Sequence, residues 1–295
     1  MRPTDLCIAV GSSACDLSFL SGADTTVVQV GDLCVPGDVS NYAQRIARQL
    51  QEIASYGMRT ALLLPLAPPD GDRAALESIV TAACGAGVSE IVANSLGEIR
   101  TVRELHADLV LTASDFVCCY CVQDAFALRD YGVSRVRLSP EMDFAQVSAL
   151  ASKAPIGLQV IAFGRVTLGV LQDFSRLQAC AGSDARVTVC AETGGEALFQ
   201  LHGAEVVSAR VLNLLDQIPT LRDAGISSFF VDARFLDRDN ITQVYKAYHG
   251  SLMESTHTSD DLSLIGLKRD SDKPPLGIAF CNGWFYNKPG IGDLP

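Results

Sequence analysis

No stretch of this 295-residue chain reaches the roughly 18 consecutive apolar residues that a membrane-spanning helix needs. The N-terminal run MRPTDLCIAVGSSACD is too short and too polar for a secretory leader, so a cytoplasmic protein is expected. Basic residues are in deficit, 23 Lys and Arg against 34 Asp and Glu, for a formal charge of -11. Nucleic-acid affinity depends on Lys and Arg neutralising phosphates, so neither DNA nor RNA is an expected partner. The four histidines, His106, His202, His249 and His257, show no HExxH or paired spacing, which argues against a zinc hydrolase. A GxSxG elbow, a P-loop and a GxGxxG following a strand are all missing. The common serine hydrolase, NTPase and dinucleotide readings go with them.

What is present is a large apolar fraction, 48%, and ten cysteines. Without export signals these thiols should be reduced, serving as small core residues or soft metal ligands rather than as a disulfide framework. Eight apolar, β-branched runs read as strands: 5–11, 25–31, 59–66, 90–95, 108–114, 134–140, 156–164 and 227–234. Helical patterns lie between them. In DVSNYAQRIARQLQEIASYG, Tyr42, Ile46, Leu50 and Ile53 recur at three- and four-residue spacings, and Gly57 is suited to stop the helix. Similar patterns cover Asp70 to Ala86, Gly97 to His106, Cys121 to Tyr131, Asp143 to Lys153, Asn213 to Ala224 and Asp239 to His249. Continuously apolar strands are covered on both faces, and eight strand-helix repeats predict an α/β fold, a TIM-like (β/α)8 barrel. Chemistry in such a barrel sits on loops at the C-terminal strand ends.

Two regions break the repeat. Residues 165–207 form a long insertion after the seventh strand, and excursions of that length are usually functional. Residues 255–295 follow as an irregular C-terminal extension. Its polar and charged beginning suits a mobile segment, whereas its last run, CNGWFYNKPGIG, is too apolar for that and is expected to fold onto the barrel. The expected division is therefore a barrel over 1–254 and an extension over 255–295.

The segment SARVLNLLDQIPTLRDAGISSFFVDAR, residues 208–234, resembles the signature helix and strand of peptidase family U32. GVSEIVANSLGEIRTVREL and DLVLTASDFVCCYCVQDAFALRDYGVSRVRLSPEM resemble the family's preceding units in the same order. The terminal Cys281-Asn282-Gly283-Trp284 with Pro289-Gly290, and GDLCVP around Cys34, resemble the UbiV-type branch. That resemblance implies a subunit of an oxygen-independent hydroxylation of aromatic, quinone-precursor-like substrates, working with a UbiU-like second U32 protein. It also implies a 4Fe-4S cluster. Cys34 matches the first ligand position, and Cys180 and Cys190 lie in the insertion where the family keeps the others. The match is imperfect: Phe174 stands where such relatives carry a ligand cysteine, and their later cysteine group is thinned to Cys190. A U32-type peptidase or hydrolase, and a cluster-free scaffold subunit, are the alternatives.

Further candidates stand at strand ends. Glu141 follows strand six, where the family commonly has a Glu, and a barrel carboxylate there can act as base, ligand or anchor. Asp232 and Arg234 end strand eight, where Arg can grip a substrate carboxylate or close an ion pair across the barrel mouth. Ser114 and Asp115 read first as a capping turn. Cys118, Cys119 and Cys121 point in different directions around a strand-to-helix turn and should not share a metal. Cys7, Cys15 and Cys84 read as core. Trp284, Phe285 and Tyr286 are expected to cover the barrel mouth as a lid, with a partner surface as the alternative.

Overall fold

Parallel strands require apolar residues on both faces, since helices cover the outside and facing strands the inside. The run DLCIAV of β1 (Asp5–Val10) meets that demand, with all six residues buried. The computed structural model describes residues 4–10, 17–20, 23–29, 39–65, 73–170, 186–190, 197–202, 205–254 and 280–286. After β1 come β2 (Thr25–Gln29), β3 (Arg59–Leu63), β4 (Glu90–Ala93), β5 (Val110–Ala113), β6 (Arg135–Arg137) and β7 (Gly157–Val170). Each is hydrogen-bonded in parallel to the next. A later strand, β11 (Ser228–Asp232), pairs in parallel with both β1 and β7 and closes the barrel. All eight runs read from the sequence are its staves.

Seven α-helices are present among the described residues: α1 (Val39–Ser55), α2 (Arg73–Gly85), α3 (Leu96–Leu105), α4 (Val122–Asp130), α5 (Phe144–Ala151), α6 (Ile218–Asp223) and α7 (Arg238–Glu254). The α1 stripe turns inward as its spacing demands, with Ile46, Leu50 and Ile53 buried. Caps fix the helix starts facing the barrel mouth. Ser95 accepts from Glu98 N ahead of α3, and Asp143 and Gln146 form a reciprocal capping box at α5.

The insertion departs from the expected loop. Strand β7 does not stop near 164 but runs on to Val170, and β10 (Glu205–Asn213) returns antiparallel to it. Strands β9 (Ala197–His202) and β8 (Arg186–Cys190) continue outward, so a four-stranded antiparallel sheet grows from the barrel wall in the order β7-β10-β9-β8. The helix expected from Asn213 starts five residues later, because Ser208 to Asn213 are held in β10. Pro219 then sits in the first turn of α6, where a missing N–H is harmless.

Where β7 leaves the barrel, Gly164 has φ +126°, and a Cβ there would stand 2.6 Å from both Cβ and the carbonyl oxygen of Asp232. Only glycine permits that approach between β7 and β11. Of the C-terminal extension, 280–286 are described. Strand β12 (Phe280–Cys281) adds in parallel to β10, and Phe285 packs on Phe144 with ring centroids 5.3 Å apart while its carbonyl accepts from Phe144 N.

Candidate active site

Inward-facing positions of the barrel strands are unusually polar. Near the N-terminal end, Asp5 of β1 bonds Arg59 at 2.7 Å and Arg135 at 2.9 Å, and Arg135 lies 3.6 Å from Glu90. Above them, Cys7 touches Asp5 and Ser228, Gln159 donates to Ser228 at 2.8 Å, and Arg137 donates through Nε to Gln159 at 2.8 Å. A polar column thus climbs the barrel axis to its C-terminal mouth. Such networks are tolerated in an interior only where each group finds a partner.

At the mouth lies a small cavity of about 30 Å³, walled by Asn94, Asp115, Arg137, Arg165, Phe230, Asp232 and Arg234 among others. That is room for one or two water molecules. Arg234 forms a two-point pair with Asp232, at 2.8 and 2.7 Å, and its Nη1 reaches Glu205 of β10 at 3.1 Å. Burial pushes this guanidinium down, but Asp232 and Glu205 outweigh it and hold Arg234 charged above its ordinary range. Arg165 donates to the carbonyls of Ser208 and Ala209, which lie at the register break in the β10–β7 pairing.

Arg137 is differently placed. It is 3% exposed, its guanidinium carbon lies 3.4 Å from the Phe230 ring centroid, and Asp115 is 3.8 Å from Nη1, beyond hydrogen-bond range. Its Nη2 has no hydrogen-bond partner among the described residues. Burial lowers the Arg137 pKa against the pull of Asp115, and burial raises that of Asp115 against the pull of Arg137.

The residues expected from the sequence divide accordingly. Asp232 and Arg234 meet at the mouth, bound to each other. Ser114 caps the turn as expected, accepting from Phe116 N at 3.2 Å, but Asp115 beside it faces the cavity. Glu141 stands apart on the exposed rim, 3.3 Å from the Tyr120 hydroxyl. Trp284, Phe285 and Tyr286 are not in the cavity wall: Phe285 packs on Phe144 of α5 and Tyr286 accepts from Gln217. Arg137 was missed in the sequence, although the alternation Arg135, Arg137 in a strand with apolar neighbours was its available signal.

Of the expected cluster ligands, Cys34 and Cys180 lie outside the described residues, as does Cys15. Cys190 ends β8, where its backbone partner is Ala197. No three His, Cys, Asp or Glu side chains among the described residues are placed to share a metal. Fe-S ligands must be thiolates. Burial instead pushes up the thiols of Cys7, Cys84, Cys281 and Cys119, the last to about 12.

A closed parallel barrel with its charged cavity at the C-terminal mouth defines a TIM-type α/β protein. The chain belongs to peptidase family U32, whose profile matches residues 39–291. Among solved structures, a dihydrodipicolinate synthase superposes with TM-score 0.50 at 10% identity, covering 90% of this chain and 82% of that one. The U32 peptidase Mk0906 gives TM-score 0.49 at 15% identity over 78% of this chain and 92% of its own. A thiamine phosphate pyrophosphorylase from Pyrococcus furiosus gives 0.48 at 10% over 86% and 97%. No curated protein matches the sequence. No helix among the described residues is long and apolar enough to cross a membrane.

Proposed function

We propose that this chain is a UbiV-like subunit of an oxygen-independent hydroxylation system, acting on an aromatic, quinone-precursor-like substrate together with a second, UbiU-like U32 protein. The observation that carries the reading is the family match over 39–291, which runs from α1 through β3–β7 and β11 to the Cys281-Asn282-Gly283-Trp284 ending and begins after β1, β2 and Cys34. Among the described residues the cavity wall carries charged and aromatic groups, with Thr167 as its hydroxyl, and no histidine, serine or cysteine. Within the site, Arg234 with Asp232 and Glu205 ties the end of β11 to β10. Phe230 and Arg137 pack on each other in the cavity wall, 3.4 Å from guanidinium carbon to ring centroid. Cys34, Cys180 and Cys190 are proposed to hold a 4Fe-4S cluster, which when bound supplies one-electron redox chemistry.

The test is iron and acid-labile sulfide content, with an ultraviolet-visible spectrum, on the full chain purified without oxygen. About four irons per chain, and a thiolate-to-iron band lost on replacing Cys34, Cys180 and Cys190 together with Ala, is the expected result. Folded, colourless, iron-free protein would remove the cluster and the hydroxylation with it.

A further inference from the structure

We propose that Arg137 is the recognition residue for a carboxylate, the group by which a ligand is anchored in the barrel mouth. A guanidinium has five N–H donors in a fixed fork. In Arg137 one of them is satisfied by Gln159, the Nη1 pair faces Asp115 from 3.8 Å, and the Nη2 pair has no acceptor although the side chain is 3% exposed. Leaving charged donors buried and unpaired is costly, so an arrangement that keeps them is a site waiting for an oxygen. The fork is also prealigned. The Phe230 ring centroid lies 3.4 Å from its guanidinium carbon and Gln159 holds Nε, while the side chain lines the cavity. The Nη1–Nη2 edge of a guanidinium receives a carboxylate in two parallel hydrogen bonds, which here requires the ligand to uncover the buried Nη2.

Charge favours the carboxylate over a phosphate. Among the described residues at the mouth, three arginines, Arg137, Arg165 and Arg234, stand with three carboxyl groups, Asp115, Asp232 and Glu205, a balance that a monoanion disturbs less than a dianion. A monoanion can be accommodated if Asp115 cedes its place beside Nη1. The inference does not rest on the cluster or on hydroxylation, since an iron-free chain would bind the carboxylate equally.

The test is titration calorimetry of the full chain with acetate and benzoate, with phosphate at matched ionic strength as the competitor. Saturable one-to-one binding of a carboxylate is expected, unaffected by phosphate. Arg137→Lys, which keeps the charge but loses the fork, should weaken it at least tenfold. Asp115→Asn, nearly isosteric, should tighten it about threefold or more by removing the competing carboxylate, and this variant decides the matter alone if Arg137→Lys fails to fold. Absence of saturable carboxylate binding, affinity indifferent to Asp115→Asn, or stronger binding of phosphate would each overturn the assignment.

Discussion

Glu98 is the buried carboxyl whose perturbation is most sharply defined. It occupies the first turn of α3, is 2% exposed, accepts from Asn94 N through Oε2, and has no partner at Oε1. Burial lifts its carboxyl from 4.5 to about 7, and the backbone N–H groups of Asn94 and Ser95 oppose the rise only in part. A carboxyl with a folded pKa above its unfolded one binds its proton more tightly in the folded state. Stability from this group is therefore greatest below pH 4.5, falls as pH rises from 4.5 to about 7, and is level above that. The gap of about 2.5 pH units corresponds to ~3.4 kcal/mol at about 1.36 kcal/mol per unit, an upper limit for the whole titration.

Glu98→Gln removes the titration while keeping the shape and an acceptor for Asn94 N. It forfeits the favourable interaction of a carboxylate with the α3 N-terminus, about 0.3–1 kcal/mol. The variant should thus be more stable than the wild type by about 1–3 kcal/mol at pH 8, with the advantage shrinking to nothing or reversing by pH 5. Urea unfolding at half-unit pH steps measures this. Taking the difference between the two proteins at each pH cancels the titration of all other groups. A difference that is constant with pH, or a variant that is weaker at pH 8, would refute the account of Glu98 as a carboxyl held against its charge.

Gly164→Ala forces a Cβ to within 2.6 Å of Asp232 at φ +126°, and should lower stability by about 3 kcal/mol or more in denaturant titration. Unchanged stability would mean that β7 and β11 do not approach so closely. Asp232→Ala strips Arg234 of its two-point partner and leaves it with Glu205, for an expected loss of about 3–5 kcal/mol at pH 7. A loss below about 1 kcal/mol would show that Glu205 and the other neighbours of Arg234 compensate the buried guanidinium.

The barrel was legible because a parallel strand has to be apolar on both faces, and RTALL, EIVA and SFFVD announce themselves by composition. What escaped was the structure added outside that rule. The outer half of β7, RVTLGV, and the start of β10, EVVSAR, are only half-buried and pair antiparallel, so their mixed composition reads as loop. The two-residue β12 has no periodicity to detect and exists because β10 offers an open edge. At the site, Asp232 and Arg234 were visible as neighbours in VDAR. Arg137 was not, because charges alternating along a short strand usually mark a solvent face, and here they point along the barrel axis. Asp115 was hidden behind a genuine cap, since Ser114 accounts for the turn and removes any need to explain the next residue.

The arrangement of charge at the mouth constrains how anything enters. Below the cavity, Arg59, Asp5, Arg135 and Glu90 join in ion pairs across the barrel floor, so a ligand arrives only from the C-terminal end. There, two of the three arginines are committed to architecture: Arg234 to Asp232 and Glu205, and Arg165 to the carbonyls of the β10 bulge. Displacing either would unpick the joint between barrel and outer sheet. The pair of Arg137 and Asp115, 3.8 Å apart, is the one contact that can be exchanged without that penalty. An incoming carboxylate substitutes for Asp115 instead of adding a charge to a neutral site, and Asp115, whose ionisation burial already opposes, can take up a proton or turn toward water. Recognition at this mouth is thus an exchange of one carboxylate for another, which makes Asp115 the residue that sets how tightly the ligand is held.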